Sequence, residues 1–218
     1  MRGINFIEEM YHQVIAGRKT MTRRASGLDM VNDTNIEMNS HVRSPDDWFL
    51  CKSTELKYTF IFENKHTGTH EFCAPRYKVG EVLYLKEPYI IEHLAKGVET
   101  INYTFEHNSY DEGIIFKNKL FMPASAARAF IRITGIRCER LLDISDEDCI
   151  AEGVRAKGIF GCVNYTKSIE YGMEVYGMTP KDSFISLYRF ANKIKPTAEI
   201  PNLWVWVFSF QYLPDYKI

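Results

Sequence analysis

The chain has little that would tie it to a membrane, an oxidising compartment or an avid polyanion. No apolar run approaches the roughly 20 residues of a membrane-spanning helix, and Met1-Arg2-Gly3 begins no apolar leader. Cys51, Cys73, Cys138, Cys149 and Cys162 are odd in number, widely spaced and without a C-x-x-C pair. That argues against a disulfide framework and points to packing thiols in a reducing cytoplasm. Charge of either sign is not in excess. With a formal net charge of −1 over 218 residues, any nucleic-acid surface has to be a local patch. What is present, 45% apolar and 25% charged residues, suits a globular chain that buries one core and carries a sizeable insertion.

The densest local feature is Gly17-Arg18-Lys19-Thr20-Met21-Thr22-Arg23-Arg24, which puts cations and hydroxyls into one short stretch. Such a cluster supplies the charge and fork geometry that phosphates and carbonyls accept. It can equally complement a helix end and decorate a strand edge. Before it, Ile7, Met10, Val14 and Ile15 recur at helical spacing over Phe6–Ala16, with Gly17 placed as a left-handed cap. After it, Thr20–Arg24 is expected to start a strand.

Residues 25–72 read as an insertion. Ser, Gly, Asp and Asn open it, Ser44-Pro45-Asp46-Asp47 marks a turn, and Trp48–Cys51 and Leu56–Glu63 predict two strands of a hairpin-like arm that a protein partner could use. His66, His70 and Cys73 sit at spacings a metal site uses. Three candidate ligands without a matching second pair fall short of a zinc signature, so surface histidines are expected, with no metal or cofactor.

Further on, Val82–Leu85 predicts a short buried strand whose exit carries Lys86 and Glu87, readable as a simple ion pair. Tyr103 and Phe105 are expected on one face of another strand. Arg128 closes a small-residue turn just before the alternating run Phe130–Arg140, where Gly135 suggests a bulge. Ser145 and Gly153 bracket a short helix that leaves Glu152 at its negative end. A carboxylate there holds its proton more tightly unless a cation compensates, which makes Glu152 a functional candidate. Residues 154–180 read as a variable loop, and Pro180–Ile194 as a second amphipathic helix. Leu203–Leu213 is aromatic and β-branched throughout, the pattern of a strand buried on both faces.

Together these elements suggest an α+β fold, a small β-barrel with flanking helices over one domain spanning 1–218. The stretch Ile15–Arg24, the run Tyr77–Glu87, the pieces Asp143-Ile144-Ser145 and Ala151-Glu152-Gly153, and the closing Trp204–Phe210 occur in an order that resembles the ASCH domain family of the PUA-like superfamily. Met122-Pro123 to Arg128 resembles a turn of its longer, phage-like members. The resemblance implies a PUA-like barrel with a cleft that binds RNA or a modified nucleobase; Lys19, Arg128 and Glu152 are the expected polar contacts of such a pocket, with Arg18, Arg23, Arg24 and Glu87 as further binding candidates. It also implies an alternative, metal-independent hydrolysis of an N-acylated cytidine-type nucleoside, with Lys19, Thr22 and Glu152 as the catalytic group. In that chemistry a neutral lysine would take the threonine's proton and the carboxylate would orient the lysine or shuttle a proton. A third reading, from a different class, is a protein-interaction module without activity. In a continuous strand Lys19 and Thr22 would face opposite sides, so a shared site requires the chain to turn near Lys19.

Overall fold

The structure, a computed structural model, describes residues 1–32, 37–38, 41–42, 45–54, 59–94, 98–103, 105, 117–156, 162–168, 173–195 and 197–218. Its first half runs β1 (Arg2–Asn5), α1 (Glu8–Ile15), β2 (Met21–Arg24), α2 (Asp29–Asn32), β3 (Glu37–Met38), β4 (His41–Val42), β5 (Trp48–Thr54), β6 (Thr59–Asn64), β7 (His70–Cys73), β8 (Val82–Lys86), β9 (Tyr89–Leu94) and β10 (Val98–Tyr103). Its second half runs β11 (Phe130–Arg140), α3 (Asp146–Ala151), β12 (Arg155–Ala156), β13 (Cys162–Ser168), β14 (Met173–Gly177), α4 (Pro180–Ala191) and β15 (Trp204–Tyr212). The fold is mixed α and β, with few helices and several sheets.

The aromatic closing run is β15, paired on one side with β11 and on the other with β2 in a five-stranded sheet of order β1-β8-β11-β15-β2. Trp204, Trp206, Phe208 and Phe210 enter one apolar cluster while Val205 and Val207 enter a second on the opposite face. A strand buried on both faces explains why the run lacks polar alternation. The ladder between β11 and β15 slips between Ile133 and Gly135, the expected bulge.

In a flat sheet of five strands, four spacings would part the edges by about 19 Å, far more than an arginine side chain spans. Yet Arg24 in β2 donates to the backbone oxygen of Asn5 in β1 at 2.7 Å. The sheet therefore curls until its edges face each other. No backbone ladder joins β1 to β2 among the described residues, so the expected barrel is not closed by hydrogen-bonded strands.

The 25–72 region departs from a free-standing hairpin. Its ladder has three strands, β5-β6-β7, and the inward residues of β6, Phe60 and Phe62, meet Trp206 and Trp204 edge-on at 4.8 and 5.1 Å. Leu28 and Val31 around α2 are fully buried in the same cluster, so the polar opening of the region also packs into the core. Residues 33–36, 39–40, 43–44 and 55–58 of the expected insertion, including Ser44 of its turn and the start of its second strand, lie outside the described residues. The 154–180 region, read as loop, contains the antiparallel order β12-β13-β14. Its irregular register between Val163 and Lys167 explains the weak periodicity. Phe105 lies beyond the end of β10 and packs against the Tyr11 ring at 5.2 Å, so it does not share a strand face with Tyr103. No helix among the described residues is long and apolar enough to cross a membrane.

Candidate functional site

The segment after α1 decides where the basic cluster points. Gly17 adopts φ +69°, a conformation glycine enters without a Cβ penalty. The next amides, of Arg18 and Lys19, return to the Gln13 carbonyl. Thr20 then donates its amide to Ala151 O at the end of α3, and the β2 ladder begins at Met21. The turn that a shared site required is present, and it lays Lys19 against Glu152.

Glu152 is the C-cap of α3, and Ser145 caps the other end by accepting from the Asp148 amide. Lys19 Nζ donates to both the Glu152 carboxylate at 2.5 Å and its backbone oxygen at 2.7 Å. One buried cation thus offsets both the carboxylate and the negative end of the helix. Arg23 holds the other carboxylate oxygen at 3.2 Å and also reaches Asp148 at 2.6 Å and Glu139 at 3.1 Å. Arg137 binds Asp148 and Glu139 from outside. Burial opposes the charge on Arg23, and the carboxylates of Glu152 and Glu139 outweigh it, holding the guanidinium charged more firmly than usual. For Lys19 burial wins over the attraction of Glu152, and its proton is held less tightly than in a free lysine.

Beside this knot lies a cavity of about 320 Å³ whose polar lining includes Thr22, Arg23, Arg24, Ser26, Glu152 and Asn192, with Phe184 and Tyr188 of α4 as its aromatic wall. Burial raises the Tyr188 phenol and keeps it neutral. The Thr22 hydroxyl has no hydrogen-bond partner among the described residues, although Thr22 is only 4% exposed. Lys19 stands behind Glu152 and does not line the cavity. A second cavity, of about 260 Å³, shares Arg24 and Ser26 with the first. Arg24, Arg76 and Lys86 line it without any carboxylate. Two more of its lining residues carry buried polar atoms without partners, Asn5 Oδ1 and Trp206 Nε1.

Of the residues named from sequence, Lys19, Thr22, Arg23, Arg24 and Glu152 come together here. Arg18 is exposed and turned back onto Gln13. Glu87 and Arg128 form a different construction: both Glu87 oxygens accept from Arg128 at 2.7 Å, and Tyr11 adds its hydroxyl at 2.8 Å. The Arg128 guanidinium also stacks over the Tyr103 ring at 4.3 Å, and its hollow is lined by Tyr216 and shares no residue with the Glu152 cavity. Lys86 and Glu87 are not the pair their adjacency suggests. Lys86 donates to Leu120 O, because neighbours along a strand face opposite ways. Sequence reading missed Tyr188, Asn5, Arg76 and the acids Glu139 and Asp148; only the helical spacing of α4 hinted at an inward Tyr188.

Comparison of the chain with protein-family models, with curated proteins and with solved structures finds no match.

Proposed function

We propose that the first cavity binds a nucleobase, as a modified nucleoside or as a residue of RNA whose phosphate enters the second cavity, in an ASCH-like, incompletely closed PUA-type barrel. The observation that carries the reading is the pairing of a carboxylate fixed by two cations and a hydroxyl without a partner among the described residues with an aromatic wall in a nucleobase-sized space. A base presents a flat apolar face to a ring such as Tyr188. Its edge presents donors and acceptors, and a carboxylate such as Glu152 accepts from the amino group of cytosine. The neighbouring cavity, with three cations and no acid, suits the phosphate. Titration calorimetry with cytidine, N-acetylcytidine and a short RNA tests this. Binding that falls at least tenfold in Glu152→Gln, and for the RNA also weakens with salt, is expected; no binding of any of them by folded protein overturns it.

A second reading, hydrolysis of an N-acylated cytidine, is favoured by a Thr22 hydroxyl that lines the same cavity as Glu152 and has no partner among the described residues. With Lys19 behind the carboxylate, a water or Thr22 would attack the acyl carbon, and Glu152 would take the nucleophile's proton and give it to the cytidine amine as the C–N bond breaks. Where Thr22 attacks, water would free the acyl group from it, and Lys19 would hold Glu152 in place. Acetate release from N-acetylcytidine by wild type and its loss in Lys19→Ala is the expected result; tight binding without release leaves binding alone.

A further inference from the structure

On the outward face of the insertion sheet, each of three adjacent strands contributes one metal-ligating side chain: Cys51 from β5, Glu63 from β6 and His70 from β7. Their donor atoms all lie within 4.8 Å of one another. From these positions we infer a binding site for a zinc-class divalent ion, with three protein ligands and a fourth position left to water or an outside group.

The spacing carries the argument. With Zn–S near 2.3 Å, Zn–N near 2.05 Å and Zn–O near 2.1 Å, tetrahedral angles put nitrogen and oxygen ligands about 3.4 Å apart and sulfur and oxygen about 3.6 Å apart. Glu63 Oε2 lies 3.5 Å from His70 Nε2 and 3.4 Å from Cys51 Sγ, within about 0.2 Å of those edges. Both partners converge on the same carboxylate oxygen, where an ion pair would need only the histidine.

A second, independent feature places the thiol. Glu63 and His70 are directly opposed in the β6–β7 ladder. Across the β5–β6 ladder the register shifts between Leu50 and Lys52, so Cys51 is the extra residue of a bulge. Bulges re-aim side chains, and here the re-aimed residue is the sulfur. Cys73, Cys138 and Cys149 are buried while Cys51 is exposed. The set differs from the one that spacing along the chain suggested. His66 instead pairs with Asp47 at 3.1 Å, and Cys73 faces the core.

Binding releases the Cys51 proton to solvent as the thiolate enters the metal's coordination shell. The test uses the full chain, reduced, metal-stripped and titrated with Co²⁺, then displaced by Zn²⁺. The expected result is about one ion per chain, a thiolate-to-cobalt charge-transfer band and intense tetrahedral d–d bands. Cys51→Ser should abolish the charge-transfer band and His70→Ala should weaken affinity at least ~10-fold, as loss of a directly bound group does at minimum. His66→Ala should leave both unchanged. All three positions are exposed, so the variants should fold, which far-ultraviolet circular dichroism checks. Absence of the bands in wild type, their persistence in Cys51→Ser, or equal weakening by His66→Ala and His70→Ala overturns the site.

Discussion

Two buried carboxylates, Glu87 and Glu152, look alike in the sequence, each an acid at the exit of a short element. Glu87 is fully buried and saturated, with a two-pronged arginine and a tyrosine hydroxyl on its oxygens. Glu152 is nearly as buried, but its cations approach from behind and from the side, and it also lines a cavity that holds an unspent hydroxyl and a ring. The difference teaches that a buried ion pair by itself marks architecture. A pair that opens on a space with surplus polar groups marks a candidate site.

The comparison breaks or sharpens in four ways. Glu87→Ala removes the acceptor that Arg128 and Tyr11 share, and urea unfolding should show a loss of about 3–5 kcal/mol, the cost of breaking a buried pair. Tyr11→Phe removes one bond to a charged acceptor and should cost about 1.5–3 kcal/mol at neutral pH. It also carries a pH signature. Burial first, then the Glu87 charge, raise the Tyr11 pKa above its ordinary 10.0. The folded state keeps that proton while the unfolded state loses it. This contribution is therefore complete below pH 10 and is lost as pH rises beyond it. Melting temperatures followed into alkali should accordingly fall less steeply in Tyr11→Phe than in wild type.

Glu152→Gln should cost less, about 1–2 kcal/mol. Lys19 keeps the backbone oxygen and can shed its loosened proton, and Arg23 keeps Glu139 and Asp148. Were this variant as damaging as Glu87→Ala and its nucleoside binding intact, the distinction between the two acids would be gone. Thr22→Val, which swaps a free hydroxyl for a methyl, should stay within about 0.5 kcal/mol of wild-type stability. Ligand affinity should nevertheless drop about tenfold in calorimetry, as one lost hydrogen bond of roughly 1.4 kcal/mol implies.

Much of this was legible from local chemistry. The apolar spacing before Gly17 marked α1, Ser145 marked the start of α3, Gly135 marked the bulge, and the unbroken apolar run marked β15 as buried on both faces. The insertion was legible as strands but not as core, because nothing in Phe60 or Phe62 says which tryptophan each will meet. Lys19 and Glu152 were named as partners from a resemblance, and their contact bridges 133 positions. His70 was named as a candidate ligand, but its grouping with Cys51 and Glu63 was missed because cross-strand register and a bulge, neither readable from spacing along the chain, bring them together.

By itself the sequence determined elements such as α1, α3, α4 and β15, since helix caps, turn residues and hydrophobic periods act over a few neighbouring positions. Only the tertiary structure decided that the five-stranded sheet curls until Arg24 spans its edges. It also decided that Lys19 stands behind Glu152 rather than inside the cavity, and that Arg128 belongs to Glu87. Those outcomes depend on packing between residues far apart in the chain, where a side chain's role is set by which partner and which space it meets.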